Sequence, residues 1–322
     1  MRALVTGGAG FIGSNLVDRL VGRGDRVVVI DDLSTGRREH LTDALARGAE
    51  LVVDDIRDGD RVRAICAELL PDVVFHLAAQ MDVRRSVEDP AFDADVNIRG
   101  TVNLLEATRL VEPESARFVF ASTGGAIYGE GEGRELPLDE DAECRPDSPY
   151  GQSKMAGEGY CRLYERLYGL STVSMRLGNV YGPRQDPLGE AGVVAIFCGR
   201  LTAGESPTVF GDGRQTRDFV YVGDIVAALI AAASSDARGP YNVGTGRESS
   251  VLDLIDVLDD LTEGDGPPPH MAAARAGEVR RIAILSERAA RDLGWRAATG
   301  LEEGLERTLA WFRAGDSGAD GG

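Results

Sequence analysis

Short runs of aliphatic and β-branched residues recur along the first half of the chain. Each is followed by a longer stretch whose apolar positions return every three or four residues. The runs RALVT (2–6), RVVVID (26–31), ELVVD (50–54), DVVFHLA (72–78), RFVFAS (117–122) and STVSMRL (171–177) are nearly continuous in apolar residues. Strands buried on both faces of a parallel sheet carry this pattern. Helical periodicity covers about 11–23, 58–70, 92–111 and 149–168. Alternation of this kind implies right-handed crossovers and predicts an α/β fold, a Rossmann-type doubly wound parallel sheet.

The polar, acidic stretch GEGEGRELPLDEDAECRPDSP (129–149) reads as a loop between the fifth strand and the helix at 149–168. After Tyr181 the elements shorten and alternate with Gly/Pro turns, and GDGPPP (264–269) reads as an exposed connector. The pattern divides the chain into a Rossmann-type domain over 1–178 and a smaller α/β subdomain over 179–312. Some strands and helices of the second part are expected to return to the first. Residues 313–322 have the composition of a disordered tail.

At 322 residues, 43% hydrophobic and 27% charged, the chain is an ordinary globular protein with room for a sizeable core. Its net charge of -18 argues against a general nucleic-acid binder or a partner of anionic membranes. No run of 18 apolar residues occurs, and a strand beginning at Arg2 leaves no space for a signal peptide. Cys66, Cys144, Cys161 and Cys198 are scattered, which fits free thiols in a reducing cytoplasm. Three histidines, His40, His76 and His270, make a histidine-based metal site improbable.

The stretch TGGAGFIGS joins the first strand to the first helix, with Gly7, Gly10 and Gly13 in a GxxGxxG pattern. Bare glycines permit a tight turn, approach of a pyrophosphate to the backbone and close helix–strand packing. The helix N-terminus adds free N–H groups and a positive dipole end. Asp31 and Asp32 close the second strand, 18 residues beyond Gly13 in the case of Asp31. A carboxylate there accepts hydrogen bonds from ribose hydroxyls and repels a 2′-phosphate, favouring NAD over NADP. Asp55 and Ile56, after the third strand, are candidates for the adenine edge.

One lysine stands among 35 basic residues: Lys154, in SPYGQSKMAGE, four positions after Tyr150. The i, i+4 spacing puts the two side chains on one helical face. An ammonium beside a phenol favours the phenolate, which can then take a proton from a substrate hydroxyl. Arginine, with its planar delocalised fork, does not substitute for a compact ammonium. Ser122 and Thr123, at the end of the fifth strand, are the candidate site hydroxyls. Adjacent strand residues face opposite ways, so only one of them reaches the crevice.

Together, TGGAGFIG, Asp31, HLAAQ (76–80), Asn97, STGGAIYG, YGQSK and RLGNVYGPRQ resemble the extended short-chain dehydrogenase/reductase superfamily, and within it the nucleotide-sugar 4-epimerases. The resemblance runs from Met1 to about Phe312. It implies retained NAD, held by Gly7, Gly10, Phe11, Ile12, Gly13, Asp31, Asp32, Asp55, Ile56, Leu77, Ala78, Ala79, Gln80 and Asn97 together with Tyr150 and Lys154. Tyr150 is then the acid–base, Lys154 its electrostatic partner and Thr123 the hydroxyl at the sugar O4. The implied reaction interconverts UDP-glucose and UDP-galactose by oxidation at C4, turnover of the 4-keto sugar and re-reduction.

On the sugar-nucleotide side the resemblance implicates Gly124, Gly125, Asn179, Val194, Val209, Phe210, Arg217, Arg275 and Glu278. Asn179, Arg217 and Arg275 match diphosphate contacts, and Val209 and Phe210 match a uracil-holding strand. Asp186 stands where uronate-acting relatives tend to carry arginine, so a neutral hexose is expected over a uronate. Ile282 matches a position thought to gate N-acetyl sugars and leaves those open. A dTDP-glucose 4,6-dehydratase would need an acid pair where Gly124 and Gly125 stand. A non-catalytic NAD-binding module would have no use for the tyrosine, lysine and hydroxyl. The helices at 92–111 and 149–168 have apolar positions left over, matching the pairing face of homodimeric relatives.

Overall fold

The structure is a computed structural model that describes residues 1–111, 116–131, 133–188, 192–274 and 279–316. The chain begins with β1 (Arg2–Thr6), α1 (Phe11–Gly22), β2 (Arg26–Asp31), a short α2 (Thr42–Ala46), β3 (Glu50–Val53), α3 (Gly59–Leu69) and β4 (Val73–His76). There follow α4 (Val83–Glu88), α5 (Pro90–Ala94), a π-helical turn at Asp95–Arg99, α6 (Gly100–Val111), β5 (Arg117–Thr123), α7 (Gly124–Ile127), α8 (Pro149–Tyr168) and β6 (Ser171–Leu177).

The later elements are shorter. They comprise β7 (Asn179–Tyr181), α9 (Val193–Thr202), β8 (Thr208–Phe210), β9 (Thr216–Arg217), β10 (Phe219–Tyr221) and α10 (Val222–Ala233). After these come β11 (Gly239–Val243), β12 (Ser249–Ser250), α11 (Val251–Leu261), β13 (His270–Ala272), α12 (Glu287–Leu293) and α13 (Leu301–Asp316).

Seven parallel strands form the central sheet in the order β11-β6-β5-β4-β1-β2-β3, a doubly wound arrangement. Its two faces bury separate clusters. Ala3 and Val5 of β1 pack with Leu16, Leu20 and α10's Ile225 and Leu229, whereas Leu4, between them, packs with Leu104, Phe118 and Phe120. Alternation along a strand with apolar residues on both sides is what makes the runs read as continuous. A third cluster joins Phe197, Val209, Leu254 and Leu305 in the C-terminal part, and a fourth lies under the acidic loop around Tyr128, Leu138 and Ile284.

Three sequence expectations change. The helix expected over 92–111 is broken by the π turn, because Asn97 points inward to bond across to Gln80 and Ser153. The strand expected over 72–78 stops at His76, since Leu77 onward turns away to line the glycine loop. Helix α13 carries residues 313–316, which composition assigned to a tail; the rest of that tail lies outside the described residues. β11 enters the sheet from the C-terminal half, so that half is partly threaded through the first core.

Candidate active site

The glycine loop is shaped by close backbone contacts. Gly7 has φ +69°, and a Cβ there would lie 2.7 Å from the Ala78 nitrogen. A Cβ on Gly13 would sit 2.1 Å from the Gly7 carbonyl, so the helix packs on the turn only because both are bare. Gly10 differs: its Cβ would touch only the Gly7 oxygen, at 3.3 Å, and would project into open space. It is also the N-cap of α1, and no side chain caps that end. Open backbone at a helix N-terminus is the cradle a pyrophosphate needs. Phe11 and Ile12, half-buried, form its first turn.

Asp31 ends β2 beneath this loop. Its Oδ2 accepts the Ala9 N–H at 2.8 Å and its Oδ1 the Leu33 N–H at 2.9 Å. Burial pushes the carboxyl up, against the pull of those two N–H groups, with Asp32 adding repulsion. Asp31 thus braces the loop. Asp32 is exposed and accepts from Ser34. The Asp55 carboxylate is held by Arg57 at 2.5 Å, and that bond lowers its proton affinity. Ile56 is buried in the core, its side chain 2.5 Å from where a Gly100 Cβ would be.

Leu77, Ala78 and Ala79 are half-buried beside Gly7. Gln80 and Asn97 are buried and bonded to each other twice, through Gln80 N–H to Asn97 Oδ1 and Asn97 Nδ2 to the Gln80 carbonyl, each 2.9 Å. They brace the site, with Asn97 donating onward to Ser153 Oγ at 3.0 Å. Behind them, His76 is buried between Thr6 and Thr101 at 2.8 and 2.9 Å. Thr101 donates to the Asn97 carbonyl, so it accepts from His76 Nε2–H. Burial and Lys154 both hold its proton affinity well below the usual histidine range.

Tyr150, Lys154 and Thr123 come together at the carboxyl end of β5. Ser148 caps α8 by accepting the Gly151 N–H, with Pro149 at the first helical position. That fixes the register putting Tyr150 and Lys154 on the sheet side. The Thr123 hydroxyl accepts the Ala126 N–H at 3.2 Å and lies close enough to the Tyr150 phenol to favour its ionised form. Ser122 points the other way, buried, and donates to Glu158 at 2.7 Å, so Thr123 is the site hydroxyl.

Lys154 is buried, donates to the Ala121 carbonyl at 2.9 Å and lies 5.0 Å from the Phe120 ring centre. Burial brings its ammonium down to about 8, opposed by Asp93. Burial raises the Tyr150 phenol to about 12; Asp93 adds to the rise and the Thr123 hydroxyl opposes it. The expected lowering by Lys154 is not what this structure shows: the ammonium is turned to Ala121, and desolvation of the phenol dominates.

Behind the catalytic helix lies a buried ion pair that the sequence reading missed. Arg176 of β6 grips Glu158 through Nε at 2.9 Å and Nη2 at 2.8 Å, and Nη1 donates to the Tyr128 phenol at 2.7 Å. Tyr128 then donates to Asn242 at 2.8 Å on β11. Glu158 follows Lys154 by four, as Lys154 follows Tyr150; that repeat on one buried face was the available signal.

On the far side, Gly124 is closed: a Cβ would lie 2.5 Å from Ile284 Cδ1, leaving no space for a dehydratase-type acid. Gly125 faces Asn179, whose Oδ1 would be 3.4 Å from its Cβ. Asn179 is anchored by its N–H on the Asp218 carbonyl at 2.7 Å. Arg217 is half-buried, with Nη1 on the Thr216 carbonyl at 2.8 Å. Phe210 is half-buried, whereas Val194 and Val209 are fully buried in the third cluster and back the site rather than line it. Arg275 and Glu278 lie outside the described residues.

Of the two positions read for sugar specificity, Asp186 is exposed and pairs at 3.4 Å with Arg37 of the loop after β2. Ile282 is buried among Ile127, Tyr128 and Ile284, and does not gate an open pocket.

This combination of glycine cradle, β2 aspartate and Tyr–Lys–Thr cluster on a doubly wound sheet defines a short-chain dehydrogenase/reductase-type nucleotide-sugar enzyme. Residues 4–308 match the family model described as GDP-mannose 4,6 dehydratase, and the chain belongs to that extended family. It is 46% identical over 97% of its length to the UDP-glucose 4-epimerase of Mycolicibacterium smegmatis, covering 99% of that protein. The Thermotoga maritima UDP-glucose 4-epimerase solved with UDP-glucose superimposes with TM-score 0.93 at 43% identity, covering 98% of this chain and 99% of that one. The Thermus thermophilus UDP-glucose 4-epimerase solved with NAD gives TM-score 0.89 at 43% identity, covering 97% and 99%.

Proposed function

We propose that the chain is an NAD-dependent UDP-glucose 4-epimerase that interconverts UDP-glucose and UDP-galactose. The observation that carries this is the grouping of Tyr150 and Lys154, one turn apart on α8, with Thr123 at the end of β5, together with the open glycine cradle at the start of α1. When bound, NAD would supply the hydride acceptor and donor for the sugar C4. The rest is done by the chain. The α1 N-terminus and Asp31 hold the dinucleotide, and Lys154 holds its nicotinamide-side ribose. Thr123 orients the sugar 4-OH, and Tyr150 takes its proton and later returns it. A phenol at about 12 is a poor base at neutral pH, so the positive charge arriving with the cofactor is what makes Tyr150 competent.

The diphosphate falls to Asn179, Arg217 and Arg275, the uracil to the backbone of Val209 and Phe210, and a ribose to Glu278, with Val194 behind. Exposed Leu110 on α6 and Leu167 and Tyr168 on α8 supply the face for a homodimer. Among the described residues no helix is long and apolar enough to cross a membrane. Cys66, Cys161 and Cys198 are buried and unpaired, and we place the activity in the cytoplasm.

The test is product analysis after separate incubation with UDP-galactose, UDP-glucuronate and UDP-N-acetylgalactosamine, with no NAD added. Conversion of UDP-galactose alone is expected. Preferred turnover of UDP-glucuronate would replace the substrate while leaving the site chemistry, and no conversion of any, even with NAD supplied, would sink the reading.

A further inference from the structure

Asp93 is the ionisable group of this site that the mechanism above does not use. It lies on α5, 1% exposed, and its Oδ1 accepts Gln80 Nε2 at 3.0 Å and Asn97 Nδ2 at 3.1 Å. Its Oδ2 is buried with no hydrogen-bond partner. A buried carboxylate oxygen without a donor is costly, and such groups call for an explanation in the chemistry around them.

The surroundings identify what the charge acts on. From α8 come Tyr150, Lys154 and the Ser153 hydroxyl beside the carboxyl, with Cys161 behind Lys154. From β4 comes His76, neutral. The cations of neighbouring elements are engaged elsewhere: Arg85 of α4 lies over the Phe92 ring, and Arg57 and Arg99 pair with Asp95. The bonded path from Asp93 to α8 runs through Asn97 Nδ2 to Ser153 Oγ, which donates to the Tyr150 carbonyl at 2.9 Å, and the charge of Asp93 is felt at both Lys154 and Tyr150.

We propose that Asp93 is a positioning residue for the reaction, a buried anion that fixes Gln80 and Asn97 about the catalytic helix and sets the charge balance of the Tyr150–Lys154 pair. This rests on the epimerase reading of the site. Burial raises the Asp93 carboxyl, which the Ser153 and Gln80 contacts oppose, and in its ionised form Asp93 counters the desolvation that lowers the Lys154 ammonium. The same charge opposes ionisation of Tyr150 until the cofactor's positive charge offsets it. Asp93 therefore adds to the burial that keeps the phenol protonated in the empty protein, and supports the charge on the lysine.

Asp93→Asn tests this, because an amide keeps an oxygen for Gln80 and Asn97 and places its nitrogen where Oδ2 has no partner. Removing the charge lowers the proton affinity of both Tyr150 and Lys154. The acid limb of the kcat profile follows the phenolate and the alkaline limb the ammonium. Both limbs should move to lower pH by about half a unit or more. A lower rate with both limbs unmoved would mean a purely structural role and would overturn the proposal.

Phenolate absorbance of Tyr150, taken as the difference from Tyr150→Phe in each background, gives a readout independent of turnover. Its midpoint in the NAD-loaded protein should fall on Asp93→Asn by a similar amount, and an unchanged midpoint counts against the proposal. If the asparagine protein does not fold, Asp93→Ser carries the same titration. Failure of the unaltered protein to convert any UDP-sugar would defeat the epimerase reading, whereas the phenolate titration would still report on Asp93.

Discussion

Lys154 occupies a slot that no arginine fits. It is 4% exposed, its ammonium ends on the Ala121 carbonyl at 2.9 Å, and the Phe120 ring closes one side. A guanidinium is broader, brings five donors to a place with one acceptor, and keeps its charge spread over a plane. Lys154→Arg should therefore fold but lose about 10²–10⁴-fold in kcat, the range expected for loss of acid–base support. Steady-state rates set beside bound-NAD content would check it. Near-normal turnover would mean that the lone lysine is an accident of composition.

The sequence showed this pair, and the neighbouring hydroxyl, because their spacing is local. It could not show Asp93, Ser153 or His76, whose roles depend on a π turn and on contacts between segments far apart in the chain. Nor could it show that Asp186 is turned to Arg37, a contact across 149 residues.

Helix α8 illustrates how one element combines local and tertiary requirements. Its limits were legible: Ser148 and Pro149 open it and Gly169, at φ +72°, closes it. So were six of the seven sheet strands, because burial on both faces leaves an uninterrupted apolar run. The seventh, β11, is only five residues long and begins Gly239–Pro240, so its apolar signal was too short to stand out. Inside α8 the glycines differ by face. A Cβ on Gly157 would lie 2.5 Å from the Phe120 ring, whereas one on Gly159 would meet nothing within 4 Å. Gly159→Ala should therefore stabilise by about 0.5–1 kcal/mol through helix propensity. Gly157→Ala, with the same propensity gain, should destabilise by about 1–3 kcal/mol by pushing α8 off β5. Urea midpoints of the two variants decide it, and equal shifts would mean that the helix does not sit this closely on the strand.

At the scale of the whole molecule the net charge of -18 sits on 14279 Å² of accessible surface. That is one net charge per roughly 800 Å², a mean spacing of about 28 Å. Screening extends to about 8 Å in physiological salt and about 30 Å at 0.01 M, so self-repulsion acts only at low ionic strength. The surface ion pairs respond differently. Arg280–Asp212 and Arg296–Glu287, at 2.9 and 3.0 Å, are in contact at separations below the screening length in both regimes. Such exposed pairs add little to stability and change little over that range. The melting temperature should consequently rise between about 0.01 and 0.15 M sodium chloride and then level off. Calorimetric or fluorescence melts across a salt series measure this directly. A plateau would assign the acidity to solubility and the arginine excess to composition. A melting temperature still climbing strongly above about 1 M salt, where screening extends only about 3 Å, would contradict the repulsion argument and mark a surface built to hold hydrated ions.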